Sequence, residues 1–524
     1  MIQRVLPCVV VVWALIIWAT AGWAQSKCND NHKTKTGKGE GPKPTAAEVL
    51  PPDKMSETRH VLRFEDTQIR YGAVAGTLPV QVRKEGPECR MFFISYAIEA
   101  ANPASRPLTF VFNGGPGASS AYLHLAAIGP KSVVFGPEGA IPDPPPRMAE
   151  NVHTWLRFTD LVFVDPVGTG YSRCMPVEKQ EANKEAETEA WGVEEDFTAV
   201  AKFIRLYLTR KGRWMSPKFL AGESYGGFRV AGLSEMLQSD YGIGVNGMVL
   251  ISPALEFGVL DNGQYGLLPW MARVPSYAAA ARRHGKAQGE LPEENLRKGL
   301  KGVEHFAVTT LLPALADVVP DAISAQLAGY IGVGEPWVRR VHARVPLFLY
   351  VKRLLSPSHR LISVYDGSWT AIDPDPASPF PSGEDPLLVR INLLLTPAFN
   401  TYIREDLGFE TDLPYNILNK AVSQKWNWDS GLKSGQGFVG AAEDLKASMS
   451  VNENLKVLLA HGVFDLVTPY FGSVVIVRQM GLDPAIGPNL NLRVYPGGHM
   501  FYTHQKARAA FFEDVRQFFT AALP

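Results

Sequence analysis

Ser224 lies in the sequence G-E-S-Y-G (residues 222–226), with a glycine two residues before it and another two residues after it. Glycines at both positions permit a sharp, crowded turn that projects a hydroxyl above a sheet. Apolar residues 219–221 precede the turn, and residues 230–237 have helical apolar spacing. This order predicts a strand, a turn and a helix, with Ser224 as a candidate nucleophile.

A serine hydroxyl needs a histidine to take its proton and a carboxylate to orient that histidine. Asp465 follows the apolar strand candidate 456–460, and His499 follows the strand candidate 492–495. Taken singly, Asp465 also fits a plain turn residue and His499 a surface-loop histidine. Together they follow Ser224 in the order typical of α/β-hydrolases, so we predict the catalytic triad Ser224, Asp465 and His499.

The negative oxygen formed when a serine attacks a carbonyl is stabilised by two backbone N–H groups. One is normally supplied by the residue after the nucleophile, here Tyr225. The other is expected from the loop N-G-G-P-G (residues 113–117), which follows the apolar strand candidate 108–112. The alternative is that this loop simply ends the strand.

Four ordered motifs resemble the serine carboxypeptidase family, and the similarity extends from about Arg59 to the C-terminus, including Asn151 and Trp155. The motifs are residues 113–120, 165–172, 222–227 and 498–500. The resemblance implies an α/β-hydrolase fold and release of C-terminal amino acids through an acyl-enzyme. It also implies that Gly115 helps to form the oxyanion hole, and that Asn113 and Glu223 bind the terminal carboxylate of the substrate.

Three positions depart from the family pattern. Ala127 stands where members usually carry a glutamate that shares a proton with the glutamate beside the nucleophile, Ala118 replaces a disulfide cysteine, and the motif at Asp165 is one residue shorter. A carboxyl hydrogen-bonds a carboxylate only when it is protonated, so activity on free C-termini should rise from neutral to acidic pH. The alternatives are a serine esterase, acyltransferase or other peptidase, or a catalytically silent binding protein.

Composition predicts a single large enzyme. The 524 residues are 46% hydrophobic and 20% charged, with a formal net charge of zero, so we expect no nucleic-acid partner. The expected partner is a peptide or small acyl substrate, with a homodimer as an option for assembly. The sequence contains no Cys-x-x-Cys and no His-Glu-x-x-His, and His499 and His504 are five residues apart, so we expect no metal and no cofactor.

The N-terminus predicts export. Arg4, the apolar residues 5–18 and the small residues up to Ala24 indicate a signal peptide over 1–24, with an uncleaved membrane anchor as the alternative. Residues 25–55 read as a flexible linker. We therefore expect a secreted or periplasmic protein with no stable membrane anchor after cleavage. The sequence has no N-x-Ser/Thr sequon, which favours a bacterial origin.

Three cysteines remain after the predicted cleavage, which permits one disulfide and one free thiol without indicating the pair. They are Cys28, Cys89 and Cys174.

Alternating strand and helix patterns predict a mostly parallel central sheet flanked by helices. Ser224 and Asp465 are 241 residues apart, which leaves room for a large, mainly helical cap insertion over 259–435 between core parts at 56–258 and 436–524. Within the cap we predict helices over 275–284, 293–315 and 321–330 and a loop over 367–385. Three large aromatics could line the pocket but are more typical of a packed core: Trp270, Trp337 and Tyr402.

Overall fold

The computed structural model describes residues 54–64, 67–84, 86–99, 102–175, 187–260, 265–292, 295–429 and 439–523. The predicted signal peptide, all but the end of the predicted linker, and Cys28 lie outside the described residues.

The strands of the described residues form one large sheet and two small hairpins. Their bounds are β1 (Met55–Arg63), β2 (Gln68–Gln81), β3 (Glu88–Ile98), β4 (Leu108–Phe112), β5 (Lys131–Val133), β6 (Met148–Glu150), β7 (Asp160–Val164), β8 (Arg173–Cys174), β9 (Lys218–Glu223), β10 (Gly247–Ile251), β11 (Arg360–Ile362), β12 (Thr370–Ile372), β13 (Lys456–Gly462) and β14 (Leu490–Tyr495).

The large sheet has the strand order β1-β2-β3-β7-β4-β9-β10-β13-β14, and β8 pairs with β3 beside this path. Along this order, β1, β2, β3 and β7 pair antiparallel with one another. The pairs β7–β4, β4–β9, β9–β10, β10–β13 and β13–β14 are all parallel. The sheet is thus mostly parallel, and helices cover both of its faces. This architecture confirms the predicted α/β-hydrolase fold class.

Burial on both faces explains why the central strands are mainly apolar. Consecutive residues of a strand point to opposite faces. In β4, Phe110 belongs to the same hydrophobic core as Phe203 and Leu233, whereas Val111 belongs to the other core, with Phe511. All five residues of β4 are buried, so its sequence carries no polar alternation.

The helices lie mainly on the two faces of the sheet and between β10 and β13. Their bounds are Ala121–Leu123, Val193–Arg210, Tyr225–Tyr241, Phe257–Leu260, Leu268–Ala272, Val274–Arg283, Leu296–Phe306, Leu312–Leu315, Asp321–Ile331, Glu335–Arg340, Leu347–Arg353, Pro386–Thr401, Lys420–Gln424, Ala442–Val451, Tyr470–Gln479 and Gln505–Ala522. Within the described part of the chain, none of the helices is long and apolar enough to cross a bilayer.

The segment between β10 and β13 is largely helical. The helices expected over 275–284, 293–315 and 321–330 correspond to Val274–Arg283, to a run that starts at Leu296 and ends at Leu315, and to Asp321–Ile331. The expected loop over 367–385 also contains the short strand β12. The boundaries of the cap insertion stay a prediction.

The three aromatics considered as pocket residues pack in cores. Trp270 and Trp337 lie against the hydrophobic cluster of the inserted helices. Tyr402 is buried against the sheet, and its hydroxyl is 3.0 Å from that of Tyr96. None of the three lines the cavity at Ser224, which agrees with the core alternative.

A disulfide joins Cys89 of β3 to Cys174 of β8. The pairing that the sequence left open is therefore assigned between these two cysteines.

The chain leaves β4 toward β7 on one side, whereas β9, β10, β13 and β14 follow on the other side. The direction of the strand order therefore reverses at the carboxyl ends of β4 and β9. Crevices at such switch points are the usual ligand sites of open parallel sheets.

Candidate active site

Ser224 lies at this switch point, between the end of β9 and the helix Tyr225–Tyr241. Its backbone has φ +62° and ψ −124°, a conformation that is costly for a residue with a side chain. Its N–H donates to the carbonyl of Ile251 at 2.9 Å, and its carbonyl accepts from the N–H of Gly227 at 2.9 Å. These bonds on both sides hold the strained turn.

The two glycines that flank the turn are required by close backbone packing. A Cβ on Gly222 would lie 2.0 Å from the carbonyl oxygen of Gly226, and a Cβ on Gly226 would lie 2.8 Å from the carbonyl oxygen of Phe112. Only glycine lets the strand, the turn and the neighbouring loop approach so closely.

The loop after β4 packs directly on this turn. A Cβ on Gly114 would lie 2.5 Å from the backbone nitrogen of Tyr225. Gly115 follows with φ +100° and lines the same cavity as Ser224. The two residues predicted to donate to an oxyanion, Gly115 and Tyr225, thus belong to loops in contact, while their role stays a prediction.

Asp465 and His499 lie on neighbouring loops, after β13 and β14. Oδ2 of Asp465 is 2.8 Å from Nδ1 of His499. The hydroxyl of Thr468 donates to the same Oδ2 at 2.6 Å, and the backbone N–H groups of Val467 and Thr468 donate to Oδ1 at 2.9 and 3.0 Å. Asp465 is fully buried, so its orientation is set by these donors.

His499 is held through its backbone as well. Its N–H donates to the carbonyl of Tyr365 at 2.6 Å, and its carbonyl accepts from the hydroxyl of Ser252 at 2.8 Å. Burial acts to lower the pKa of the imidazole, but the carboxylates of Asp465 and Glu223 together outweigh burial and raise that pKa above its ordinary value. Because Nδ1 faces Asp465, Nε2 is the ring nitrogen available to take a proton.

Ser224 and His499 line one cavity of about 70 Å³. The structure thus brings the predicted nucleophile, base and carboxylate to one edge of the sheet, although they are far apart in sequence. The cavity is also lined by the candidate substrate-binding residues and by several others: Asn113, Gly114, Gly115, Ala118, Tyr122, Glu223, Tyr365, Leu388, Leu418, Val467 and Met500.

Glu223 and Asn113 contact each other beside the nucleophile. The amide of Asn113 donates to Oε2 of Glu223, and the hydroxyl of Tyr502 donates to Oε1 at 2.7 Å. Burial raises the pKa of the Glu223 carboxyl to about 7, while His499, Tyr502 and Asn113 act to lower it. Glu223 therefore changes its charge near neutral pH.

Asn113 is fixed from behind by a buried ion pair. The guanidinium of Arg229 donates to the carbonyl of Asn113 at 2.7 Å and to Oδ2 of Asp196 at 2.7 Å. Asn113 also accepts from the backbone N–H of Leu123 at 3.0 Å through its side-chain oxygen. Its amide group is therefore directed at Glu223.

Ala127 is buried and offers Glu223 no carboxyl. Its carbonyl accepts from the side-chain amide of Asn151 at 2.8 Å. The second hydrogen bond to Glu223 comes instead from Tyr502, on the turn that follows His499.

Several residues of the site were not identified from the sequence, among them Thr468, Tyr365 and Tyr502. Thr468 could have been found, because a threonine three residues after Asp465 and before Pro469 is a usual partner for an aspartate in a turn. Tyr365 and Tyr502 carry no such signal, because their places depend on how distant loops pack.

Among the residues that the structure describes, no group of three or more His, Cys, Asp or Glu side chains could hold a metal ion.

Residues 68–255 match the family model of the serine carboxypeptidases. The match includes Ser224 but ends well before Asp465 and His499. Their assignment to the site therefore depends on the geometry given above.

The chain is similar to a serine carboxypeptidase-like protein 45 of Arabidopsis thaliana, with 26% identity over 219 residues, which are 40% of this chain and 42% of that protein. A pheromone-processing carboxypeptidase of Yarrowia lipolytica is 28% identical over 180 residues, 30% of this chain and 25% of that protein. The chain thus covers less than half of either relative. Both come from eukaryotes, so they give no support to the predicted bacterial origin.

A solved structure, that of a prohormone-processing carboxypeptidase from Saccharomyces cerevisiae, resembles this fold with a TM-score of 0.52. It is 15% identical, and the alignment covers 86% of this chain and 91% of that one. At this identity the likeness shows the fold.

Proposed function

We propose that this protein is a serine-type carboxypeptidase that releases C-terminal amino acids from peptides through an acyl-enzyme. The observation that carries the proposal is the cavity that Ser224 and His499 share, with the Asp465 carboxylate 2.8 Å from Nδ1 of His499. Matches to serine carboxypeptidases over residues 68–255 support the same class.

In this mechanism the Ser224 hydroxyl attacks the last peptide carbonyl while Nε2 of His499 takes its proton. Asp465 keeps the imidazole in the required tautomer and stabilises its charge. The backbone N–H groups of Gly115 and Tyr225 stabilise the negative oxygen of the tetrahedral intermediate. His499 then passes its proton to the leaving amino acid, and a water molecule releases the acyl group by the reverse steps.

Asn113 and Glu223 bind the terminal carboxylate of the substrate in this proposal. A protonated Glu223 donates a hydrogen bond to that carboxylate, whereas an ionised Glu223 repels it. Since burial raises the pKa of Glu223 to about 7, kcat/KM for a free C-terminus should fall as the pH rises through that value.

The test replaces Ser224 with alanine. Turnover of a blocked dipeptide should fall by at least about a thousandfold, because the nucleophile is lost, and labelling by a fluorophosphonate probe should disappear. The unfolding temperature should stay close to that of the wild type. Substantial turnover by Ser224→Ala would contradict the proposal.

A second candidate is hydrolysis or acyl transfer on esters and blocked peptides. It is favoured by one observation: both oxygens of Glu223 accept hydrogen bonds, from Asn113 and Tyr502, as those of an ionised carboxylate would. Comparing a blocked dipeptide with its C-terminal amide separates the two candidates. Equal turnover of the two compounds at acidic pH would contradict recognition of the terminal carboxylate. Failure of the fluorophosphonate probe to label Ser224 would favour a catalytically silent binding protein.

We also propose that the protein is exported. The Cys89–Cys174 disulfide supports an oxidising compartment. N-terminal sequencing of the mature protein tests the predicted cleavage after Ala24, and an intact N-terminus would contradict it.

A further inference from the structure

We propose that Tyr502 is the positioning residue for Glu223, and that its hydrogen bond decides the pH range over which this site accepts a free C-terminal carboxylate. The inference rests on the proposed carboxypeptidase function and adds the residue that regulates substrate binding.

Tyr502 is close to His499 in the chain and contacts Glu223 in space. The turn Phe501–Thr503 begins two residues after His499 and carries Tyr502, whose hydroxyl contacts Glu223. Tyr502 is fully buried, and its hydroxyl lies 2.7 Å from Oε1 of Glu223. A buried phenol has few rotamers, so it fixes the direction of the carboxyl as well as contacting it.

Tyr502 remains a donor throughout the working range. Burial and the neighbouring Glu223 carboxyl raise the pKa of its hydroxyl well above the ordinary value. A neutral hydroxyl that donates to a carboxyl oxygen stabilises the charged form of the carboxyl. Tyr502 thus opposes the effect of burial on Glu223.

The other groups facing Glu223 do not replace this bond. The amide of Asn113 donates to the opposite oxygen, while His499 and Asp465 act through their charges and with opposite signs. Tyr122 and Tyr365 lie close enough to Glu223 to interact with its charge. The hydroxyl of Tyr122, however, donates to Oδ1 of Asn392 at 2.6 Å and not to Glu223.

Removing the Tyr502 hydroxyl should move the pH dependence of substrate binding to higher pH. Without the Tyr502 hydroxyl the charged form of Glu223 is less stable, so the carboxyl stays protonated to higher pH. The alkaline decline of kcat/KM for a free C-terminus should then move upward by about one pH unit, the size expected for losing one hydrogen bond to a charged group. KM should rise as well, since the carboxyl is less well oriented.

The experiment compares the wild type, Tyr502→Phe and Tyr122→Phe. Tyr122→Phe is the matched control, because Tyr122 lines the cavity beside Glu223 but its hydroxyl donates to Asn392 instead. kcat and KM are measured from about pH 5 to about pH 9 with a blocked dipeptide and with its C-terminal amide. We expect an upward shift only for Tyr502→Phe and only with the free carboxylate.

Fluorophosphonate labelling of Ser224 checks that each variant is folded, and Glu223→Gln tests the titrating group without altering Tyr502. Glutamine cannot titrate, so the alkaline decline for the free carboxylate should vanish. Adding Tyr502→Phe to Glu223→Gln should cause no further shift in the pH dependence of kcat/KM.

Three results would overturn the inference. The alkaline decline of kcat/KM for the free carboxylate could stay in place in Tyr502→Phe, or it could shift equally in Tyr122→Phe. It could also persist in Glu223→Gln. A wild type that hydrolyses the amide but not the free acid would instead refute carboxypeptidase function, and the inference with it.

Discussion

His499 and Glu223 face one cavity, and the pKa of each is raised for a different reason. For His499 the carboxylates of Asp465 and Glu223 together outweigh burial, so the imidazole is a stronger proton acceptor. For Glu223 burial itself raises the pKa to about 7. The raised pKa of His499 favours attack by Ser224, and the raised pKa of Glu223 favours binding of an anionic substrate. Hydrolysis of a peptide with a free C-terminus therefore requires a neutral His499 beside a neutral Glu223.

Replacing Asp465 with asparagine should lower kcat by about ten-thousandfold, because the imidazole loses the charge that fixes its tautomer. Steady-state hydrolysis of a blocked dipeptide measures the loss. Circular dichroism controls for folding, since Thr468 and the backbone N–H groups also contact the replaced side chain. A decrease of less than about tenfold would exclude Asp465 from the triad.

Asp165 should make stability depend on pH. Its Oδ2 is buried and, within the described residues, has no hydrogen-bond partner, and burial raises the pKa of its carboxyl to about 7. The folded state therefore holds this proton more tightly than the unfolded state. The resulting stability is complete below about pH 4 and is lost as the pH rises through about 7.

Between those values the unfolding free energy of the wild type should fall, relative to Asp165→Asn, on the order of 1 kcal/mol per pH unit. Urea unfolding at several pH values measures this difference. Asp317→Asn, at an exposed aspartate, is the control and should run parallel to the wild type. Parallel curves for Asp165→Asn would show that burial does not hold the proton on Asp165.

At the scale of elements, the site is built by loops that follow parallel strands. The turn after β9 and the loop after β4 approach each other closely through their backbones, since a Cβ on Gly114 would lie only 2.5 Å from the nitrogen of Tyr225. The loops after β13 and β14 meet through Asp465 and His499. Their positions are therefore set by strand order and by glycine, with little freedom in the side chains.

Gly114→Ala should separate the first two loops. The added methyl group meets backbone that cannot rotate away, so we expect a loss of about 1–3 kcal/mol in unfolding free energy and on the order of a hundredfold in kcat. Gly244→Ala is the matched control, since its methyl group would meet nothing within 4 Å. Equal effects of the two substitutions would show that the contact does not matter. Thermal unfolding and steady-state kinetics measure both.

This loop construction explains what could be predicted from the sequence. Ser224, Asp465 and His499 each follow an apolar strand candidate. The carboxyl ends of parallel strands lie at the same edge of a sheet, so these positions were enough to predict that the three residues lie together. The partners of those residues could not be predicted in the same way. Tyr365 belongs to the long segment between β10 and β13, and its carbonyl reaches His499 only after that segment packs on the core.

Helices of the inserted segment were predictable where proline or glycine bounded a periodic run, as at Asp321–Ile331. Pro386–Thr401 escaped notice because Pro397 lies inside it, and a proline there usually ends a helix. Packing of its buried residues against the sheet core stabilises it instead. Such tertiary contacts are invisible in local sequence patterns.

At the scale of the whole molecule, the antiparallel edge of the sheet is tied to the loop that follows β7. β8 pairs with β3 over only two residues, and the Cys89–Cys174 disulfide closes a chain separation of 85 residues. Closing a loop of this length restricts the unfolded chain strongly. The bond is thus expected to contribute to stability without contacting the cavity at Ser224.

Replacing both Cys89 and Cys174 with serine should therefore lower the unfolding free energy by about 2–5 kcal/mol and leave kcat/KM near the wild-type value at low temperature. Guanidinium unfolding with and without a thiol reductant measures the effect. The wild type should lose stability on reduction, whereas the double variant should not respond, since its bond is already absent. Equal stability of the oxidised wild type and the double variant would mean that strand pairing alone holds this edge, because the loop closure would then contribute nothing.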